Sequence, residues 1–137
     1  MTANKLKVLV VDDSKMVLEH LGFVLTRAGY DVTVRGSALG TVQQVAKIRP
    51  DVLVLDVSMP ALDGDRIVGM VTELDKRIVI ILHSSLAQEE LDRLAAASGA
   101  HGAIKKSPDG SNFLLTFQRV LLAAGRSGSG ARRYLVR

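Results

Sequence analysis

The sequence contains no cysteine, and no unbroken run of apolar residues in it exceeds five positions. Without cysteine, the chain cannot build a disulfide framework, a zinc–thiolate site or a cysteine nucleophile. Residues 1–5 lack the hydrophobic segment of a signal peptide, and no stretch is long enough to span a bilayer. We therefore predict a cytoplasmic protein with no membrane partner, whose 137 residues suffice to bury one domain core.

The chain also lacks acidic residues from position 126 onward, although that stretch holds four arginines. Removing these four leaves 14 basic residues against 14 acidic ones, so the net charge of +4 resides in a tail. The composition predicts a domain of residues 1–125 followed by a flexible basic Gly/Ser/Arg tail of residues 126–137. No zinc-finger spacing and no recognition helix rich in Arg, Asn or Gln is present, so no specific nucleic-acid partner is predicted. An alternative is that the tail begins a linker to a further domain.

Short apolar runs alternate with amphipathic helical patterns along the first 125 residues. The predicted strands are Lys7–Val11, Asp31–Arg35, Asp51–Asp56, Ile78–Leu82 and Gly102–Lys105. The predicted helices are about Lys15–Ala28, 38–48 with Ser37 as its cap, Asp65–Leu74, Gln88–Ala97 and Ser111–Ala124. This alternation predicts an α/β fold with a parallel sheet and helices on both faces. The alternating second strand is expected at an edge, and the fourth, the most hydrophobic, at the centre.

Polar residues follow four of the predicted strands, at the edge where sheets of this kind bind ligands. These residues are Asp12 and Asp13, Asp56, Ser84 and Lys106. Three carboxylates at one edge repel one another and favour a divalent cation, and an all-oxygen site selects Mg²⁺ rather than zinc. Beside such an ion, Asp56 can attack phosphorus, with Lys106 balancing the charge and Ser84 donating to a phosphoryl oxygen.

The sequence around these residues resembles the receiver domain of response regulators in two-component signalling. The resemblance covers roughly residues 5–124, and its motifs are Val10–Ser14, Leu55–Pro60, Asp63–Gly64, Ser84 and Lys106. It implies a flavodoxin-like fold, in which a doubly wound five-stranded parallel sheet has the strand order 2-1-3-4-5 and carries five helices.

The resemblance also implies a role for each site residue. Asp56 would accept a phosphoryl group from a histidine kinase or phosphotransfer protein, and Lys106 would pair with that group. Mg²⁺ would be held by Asp12, Asp13, Asp56 and the backbone carbonyl of Ser58, with Asp13 binding directly and Asp12 through water.

The resemblance further implies that Ser84 turns towards the phosphoryl group and reports its presence to the helix that follows. Such a protein signals through protein–protein contacts and is not an enzyme beyond its own phosphorylation and autodephosphorylation.

Two residues next to the site residues in sequence, Lys105 and His83, are given no part in its chemistry. Lys106 is preferred to Lys105 as the site lysine, because Ile104 should face the core and leave Lys105 turned towards solvent or a helix. His83 has no second histidine near it in sequence to form a metal pair, so it is expected to be structural or partly exposed.

Two departures from the family pattern leave other functions open. Ala103 stands where the family often has an aromatic residue, and Ser107 stands where a proline usually follows the lysine. Both concern signal transmission rather than phosphorylation. One alternative is an interaction module that is not phosphorylated, which Ala103 favours. A less favoured alternative is a strand-end aspartate phosphatase, whose usual second acid is replaced here by Ser58.

The last helix indicates how the signal would leave the domain. Leu115 and Leu122 lie off its predicted buried stripe and are expected to be exposed. We therefore predict a stand-alone receiver that contacts a downstream protein, or a second copy of itself, through its last two helices and the strand between them.

Overall fold

The computed structural model describes residues 5–58 and 63–125. The strands are β1 (Lys7–Val11), β2 (Asp31–Arg35), β3 (Val52–Asp56), β4 (Val79–Ser84) and β5 (Gly102–Lys105). The helices are α1 (Lys15–Arg27), α2 (Thr41–Ile48), α3 (Gly64–Leu74), α4 (Gln88–Ser98) and α5 (Phe113–Ala123). Strands and helices alternate along the chain, as the sequence predicts.

The five strands form one parallel sheet in the order β2-β1-β3-β4-β5. The predicted fold is therefore confirmed, and β2 lies at an edge as expected. The expectation that the fourth strand occupies the centre is wrong, because β3 is the middle strand. Every residue of both β3 and β4 is buried, so hydrophobicity alone does not show which of these two interior strands lies in the middle of the sheet.

Side chains from the two faces of the sheet form two hydrophobic layers. One layer packs α1 and α5 against the sheet through Leu21, Leu25, Phe113, Phe117 and Leu121. The other packs α2, α3 and α4 through Val45, Val68, Val71 and Ala95. Helices thus cover both faces, which explains why the interior strands are continuously apolar and do not alternate.

Side-chain caps mark the start of α1 and α3, whereas α2, α4 and α5 have no side-chain cap. Ser14 precedes α1, and its hydroxyl oxygen accepts a hydrogen bond from the backbone N–H of Val17 at 3.3 Å. The prediction that Ser37 caps α2 is wrong, because its hydroxyl accepts from Leu39 N at 3.2 Å inside the preceding turn. The α2 helix starts only at Thr41, after Gly40 takes a left-handed φ of 77° that suits glycine.

Three stretches lie outside the described residues. They are residues 1–4, residues 59–62 of the loop after β3, and the predicted tail, residues 126–137. The domain boundary at residue 125 therefore stays a prediction. Within the described parts of the chain, no helix has the length and apolar character that a membrane span requires.

Candidate functional site

The carboxyl ends of β1 and β3 bring three carboxylates to one edge of the sheet. Asp12 follows β1 and Asp56 is the last residue of β3, and each is only 1% exposed, whereas Asp13 is exposed. One carboxylate oxygen from each of the three residues lies within 4.8 Å of the others. The structure therefore gathers the three aspartates that the sequence assigns to one site.

Backbone N–H groups fix one oxygen of each buried carboxylate. Asp12 Oδ1 accepts from Ser14 N at 2.9 Å, and Asp56 Oδ1 accepts from Ser58 N at 2.8 Å. In both cases the chain turns back within two residues, so the loop after the strand holds the carboxylate that ends it. The second oxygen of each residue is left for other partners.

Lys106 occupies the space between these second oxygens. Its Nζ lies 3.0 Å from Asp12 Oδ2 and 3.3 Å from Asp56 Oδ2. Neither oxygen receives a directed hydrogen bond within the described residues, so these contacts are ion pairs whose alignment is poor. The backbone N–H of Lys106 donates to Ser84 O at 2.7 Å, which extends the β4–β5 pairing by one residue and positions the side chain.

The neighbouring lysine points elsewhere. Ile104 is buried and Lys105 is exposed, and Lys105 Nζ donates to the backbone carbonyls of Ser85 at 2.7 Å and Leu86 at 3.1 Å. The structure thus places Lys106, and not Lys105, beside the carboxylates. Lys105 instead connects β5 to the loop between β4 and α4 through these hydrogen bonds. No pattern in the sequence predicts this contact.

The pKa values of Asp12 and Lys106 are both raised in the folded protein. Burial raises the pKa of Asp12, and the charge of Asp56 adds to that rise, while Ser14 N–H and Lys106 oppose it. Burial alone would lower the pKa of Lys106, but its contact with Asp12 and the charge of Asp56 outweigh burial and raise it. Lys106 therefore stays protonated at neutral pH as the counterion of the cluster.

The donor set fits a hard divalent cation. The formal charges of the three carboxylates and the one ammonium sum to two negative charges. All the candidate ligands are oxygen atoms, and two buried ones, Asp12 Oδ2 and Asp56 Oδ2, have no directed hydrogen-bond donor within the described residues. Oxygen ligands of this kind suit Mg²⁺ and do not favour a soft metal.

Ser84 ends β4 beside the cluster and is completely buried. Its Oγ lies 2.7 Å from Ser58 Oγ, and it accepts from the backbone N–H of Leu86 at 3.1 Å. The side chain of Ser58 thus belongs to the site. The sequence assigns the Ser58 carbonyl to the metal and gives the Ser58 hydroxyl no role, because no local pattern shows that a loop hydroxyl meets a residue 26 positions away.

His83 lies beneath the carboxylates. It is 5% exposed, its Nδ1 lies 4.0 Å from Asp12 Oδ2, and its ring meets Phe113 edge-on with centroids 5.1 Å apart. Burial, reinforced by the charge of Lys106, lowers the pKa of His83 to about 4. The imidazole is therefore neutral at pH 7, which agrees with a structural role.

The two departures from the family pattern are visible in the structure. Ala103 is half-buried against the layer formed with α2, α3 and α4, and its carbonyl accepts from Gln88 Nε2 at 3.3 Å. The peptide bonds on both sides of Ser107 are trans, like all others in the described residues.

Comparison with known proteins places this geometry in a family. The family model for the response regulator receiver domain matches residues 8–117. The chemotaxis protein CheY of Treponema pallidum (strain Nichols) is 34% identical over 120 residues, which cover 84% of this chain and 82% of that protein. The structure of the chemotaxis response regulator CheY4 of Vibrio cholerae superimposes with a TM-score of 0.77 and 31% identity, covering 85% of this chain and 99% of that one.

The chain therefore belongs to the response regulator receiver domain family. Some relatives are longer proteins. A protein-glutamate methylesterase/protein-glutamine glutaminase of Pseudomonas savastanoi pv. phaseolicola is 34% identical over 137 residues, and the match spans 96% of this chain but only 38% of that protein. Membership in the family gives the chain a place in two-component signalling.

Proposed function

We propose that the chain is a phosphorylatable switch that accepts a phosphoryl group on Asp56 from a histidine kinase or phosphotransfer protein. The observation that carries the proposal is the setting of the Asp56 carboxylate, which is buried at a strand end and lies 3.3 Å from the Lys106 ammonium. Two further aspartates lie beside it. A nucleophile, a counterion and a potential metal site thus converge on one point.

The transfer exchanges one bond to phosphorus for another. An oxygen of Asp56 bonds to phosphorus while the bond between phosphorus and the donor's histidine nitrogen breaks, and that nitrogen keeps the electron pair. Lys106 is already within ion-pair distance of Asp56, so it is placed to balance charge on the new phosphoryl oxygens. Ser84 would donate a hydrogen bond to one of those oxygens.

Mg²⁺ would be held by Asp12, Asp13, Asp56 and the backbone carbonyl of Ser58. When bound, it supplies positive charge that offsets the carboxylates and the incoming phosphoryl oxygens. The fit rests on the oxygen donor set and on the two buried oxygens that lack a directed donor.

We propose that the signal leaves through α4, β5 and α5, towards a downstream protein or a second copy of the chain. Leu115 and Leu122 on α5 are 55% and 65% exposed. Their spacing of seven residues puts them on one side of the helix, where they form an apolar pair with Arg119 between them.

Incubation with Mg²⁺ and acetyl phosphate, followed by intact mass measurement, tests the proposal. We expect the mass of one phosphoryl group to be added to the wild type, and not to Asp56→Asn. Asp31→Asn, which changes an exposed acid at the other end of the sheet, should be labelled like the wild type, and EDTA should abolish labelling. No label on the wild type would favour the unphosphorylated interaction module, and label on Asp56→Asn would show that another residue accepts the group.

A further inference from the structure

A hydroxyl pair joins the loop after β3 to the end of β4. Ser58 Oγ and Ser84 Oγ lie 2.7 Å apart, and either can donate. Ser58 is also the residue whose backbone N–H donates to Asp56 Oδ1 at 2.8 Å. One residue therefore contacts both the carboxylate that we propose as the phosphoryl acceptor and the hydroxyl that we propose as a hydrogen-bond donor to the phosphoryl group.

The Ser84 hydroxyl uses two of its three hydrogen-bonding positions in this arrangement. A serine hydroxyl has one proton to donate and two lone pairs that accept. Ser84 Oγ already accepts from Leu86 N at 3.1 Å and shares a hydrogen bond with Ser58 Oγ. Ser84 is completely buried, whereas Ser58 is exposed. Turning the Ser84 side chain so that its oxygen moves from Ser58 Oγ to a phosphoryl group on Asp56 breaks the bond to Ser58 and replaces it with a bond to the phosphoryl oxygen.

We infer that the Ser58 hydroxyl is a positioning group that holds Ser84 in its resting place and so weakens phosphoryl binding at Asp56. The inference rests on the proposed function. An interaction present in only one of two states shifts the equilibrium towards that state by its own free energy. The net contribution of one neutral hydrogen bond corresponds to a factor of about five in an equilibrium constant.

Beryllofluoride, a phosphoryl mimic, is the probe, and its affinity is measured in the presence of Mg²⁺. Ser58→Ala keeps the backbone carbonyl and N–H but removes the hydroxyl, so we expect the mimic to bind about fivefold more tightly. Ser58→Thr retains a hydroxyl and should bind within about twofold of the wild type. In a Ser84→Ala background, Ser58→Ala should have no further effect, because the group it restrains is gone.

A second measurement tests the resting bond without any ligand. Urea unfolding of the wild type, Ser58→Ala, Ser84→Ala and the double variant forms a double-mutant cycle. We expect the two substitutions to be coupled by about fivefold in the folding equilibrium constant. Additive effects would show that the hydroxyl bond is not formed in the resting protein and would overturn the inference.

The failures of the two proposals can be told apart. If the wild type binds no mimic, the proposed function fails, and the hydroxyl pair is then a structural contact only. If the wild type binds the mimic but Ser58→Ala binds it equally or more weakly, the proposed function stands and the inference is wrong. Tighter binding by Ser58→Ala that persists in the Ser84→Ala background would likewise exclude an action through Ser84.

Discussion

Replacing Lys106 with methionine should destabilise the protein at neutral pH, because two buried carboxylates would lose their only close ammonium within the described residues. The Nζ contacts of 3.0 Å and 3.3 Å correspond to attractions of about 5.5 and about 5 kcal/mol at an effective dielectric constant of about 20. Desolvation of the ammonium offsets much of this. Breaking a buried pair from one side costs about 3–5 kcal/mol. Since the Lys106 side chain is 20% exposed, we expect Lys106→Met to lower the free energy of unfolding by an amount at the lower end of this range, about 3 kcal/mol.

Urea unfolding at about pH 7 in EDTA measures this loss. Lys105→Met is the matched control, because Lys105 is exposed and, within the described residues, its ammonium donates to two backbone carbonyls and forms no ion pair. It should cost less than about 1 kcal/mol. Equal losses in the two variants, or a Lys106→Met variant as stable as the wild type, would refute the electrostatic account.

The stability lost in Lys106→Met should depend on pH in a definite direction. A raised pKa of Lys106 gives stability that is fully present below the unfolded-state value of 10.5 and is lost as pH rises through the folded-state pKa. At neutral pH the contribution is therefore complete. The pKa of Asp12 is also raised, so acidification protonates this carboxyl earlier than in the unfolded chain. The penalty of Lys106→Met should accordingly shrink as the pH falls.

Two further predictions concern the structural support of the site. The pKa of His83 is lowered from 6.5 to about 4 in the folded protein. The folded state is therefore most stable above pH 6.5 and loses stability as the pH falls towards 4. This loss is at most about 3 kcal/mol. His83→Leu should flatten this slope in unfolding curves taken at about pH 7 and about pH 4.5, and an unchanged slope would contradict the assignment. A Cβ at Gly102 would lie 2.8 Å from Val120 Cγ2, so Gly102→Ala should cost about 1–3 kcal/mol, and Val120→Ala should relieve part of that cost. Additive losses in this pair would show that the clash is absent.

The sequence predicts most of the fold because most of its strands carry strong, local signals. β1, β2 and β5 have the bounds predicted from the sequence, although β5 is short and its signal is weak. The start of α2 could not be predicted in the same way, because serine is equally able to stabilise a turn, and the left-handed backbone at Gly40 is set by the loop.

The carboxylates of the site were predictable for a topological reason. Residues that follow the strands of a parallel sheet share one edge whatever their separation in sequence, so Asp12 and Asp56 meet. The Ser58–Ser84 bond and the contact of Lys105 with the β4–α4 loop depend on side-chain directions in irregular segments. No periodicity in the sequence encodes those directions.

The most direct test of the central claim identifies the phosphorylated residue itself. Borohydride reduces an acyl phosphate to an alcohol, so an aspartyl phosphate at position 56 would become homoserine after treatment with acetyl phosphate and Mg²⁺. Peptide mass spectrometry of the reduced protein would then locate the modified residue. We predict homoserine at Asp56, dependent on both Mg²⁺ and acetyl phosphate. Reduction at another aspartate, or at none while the protein remains folded, would contradict the account.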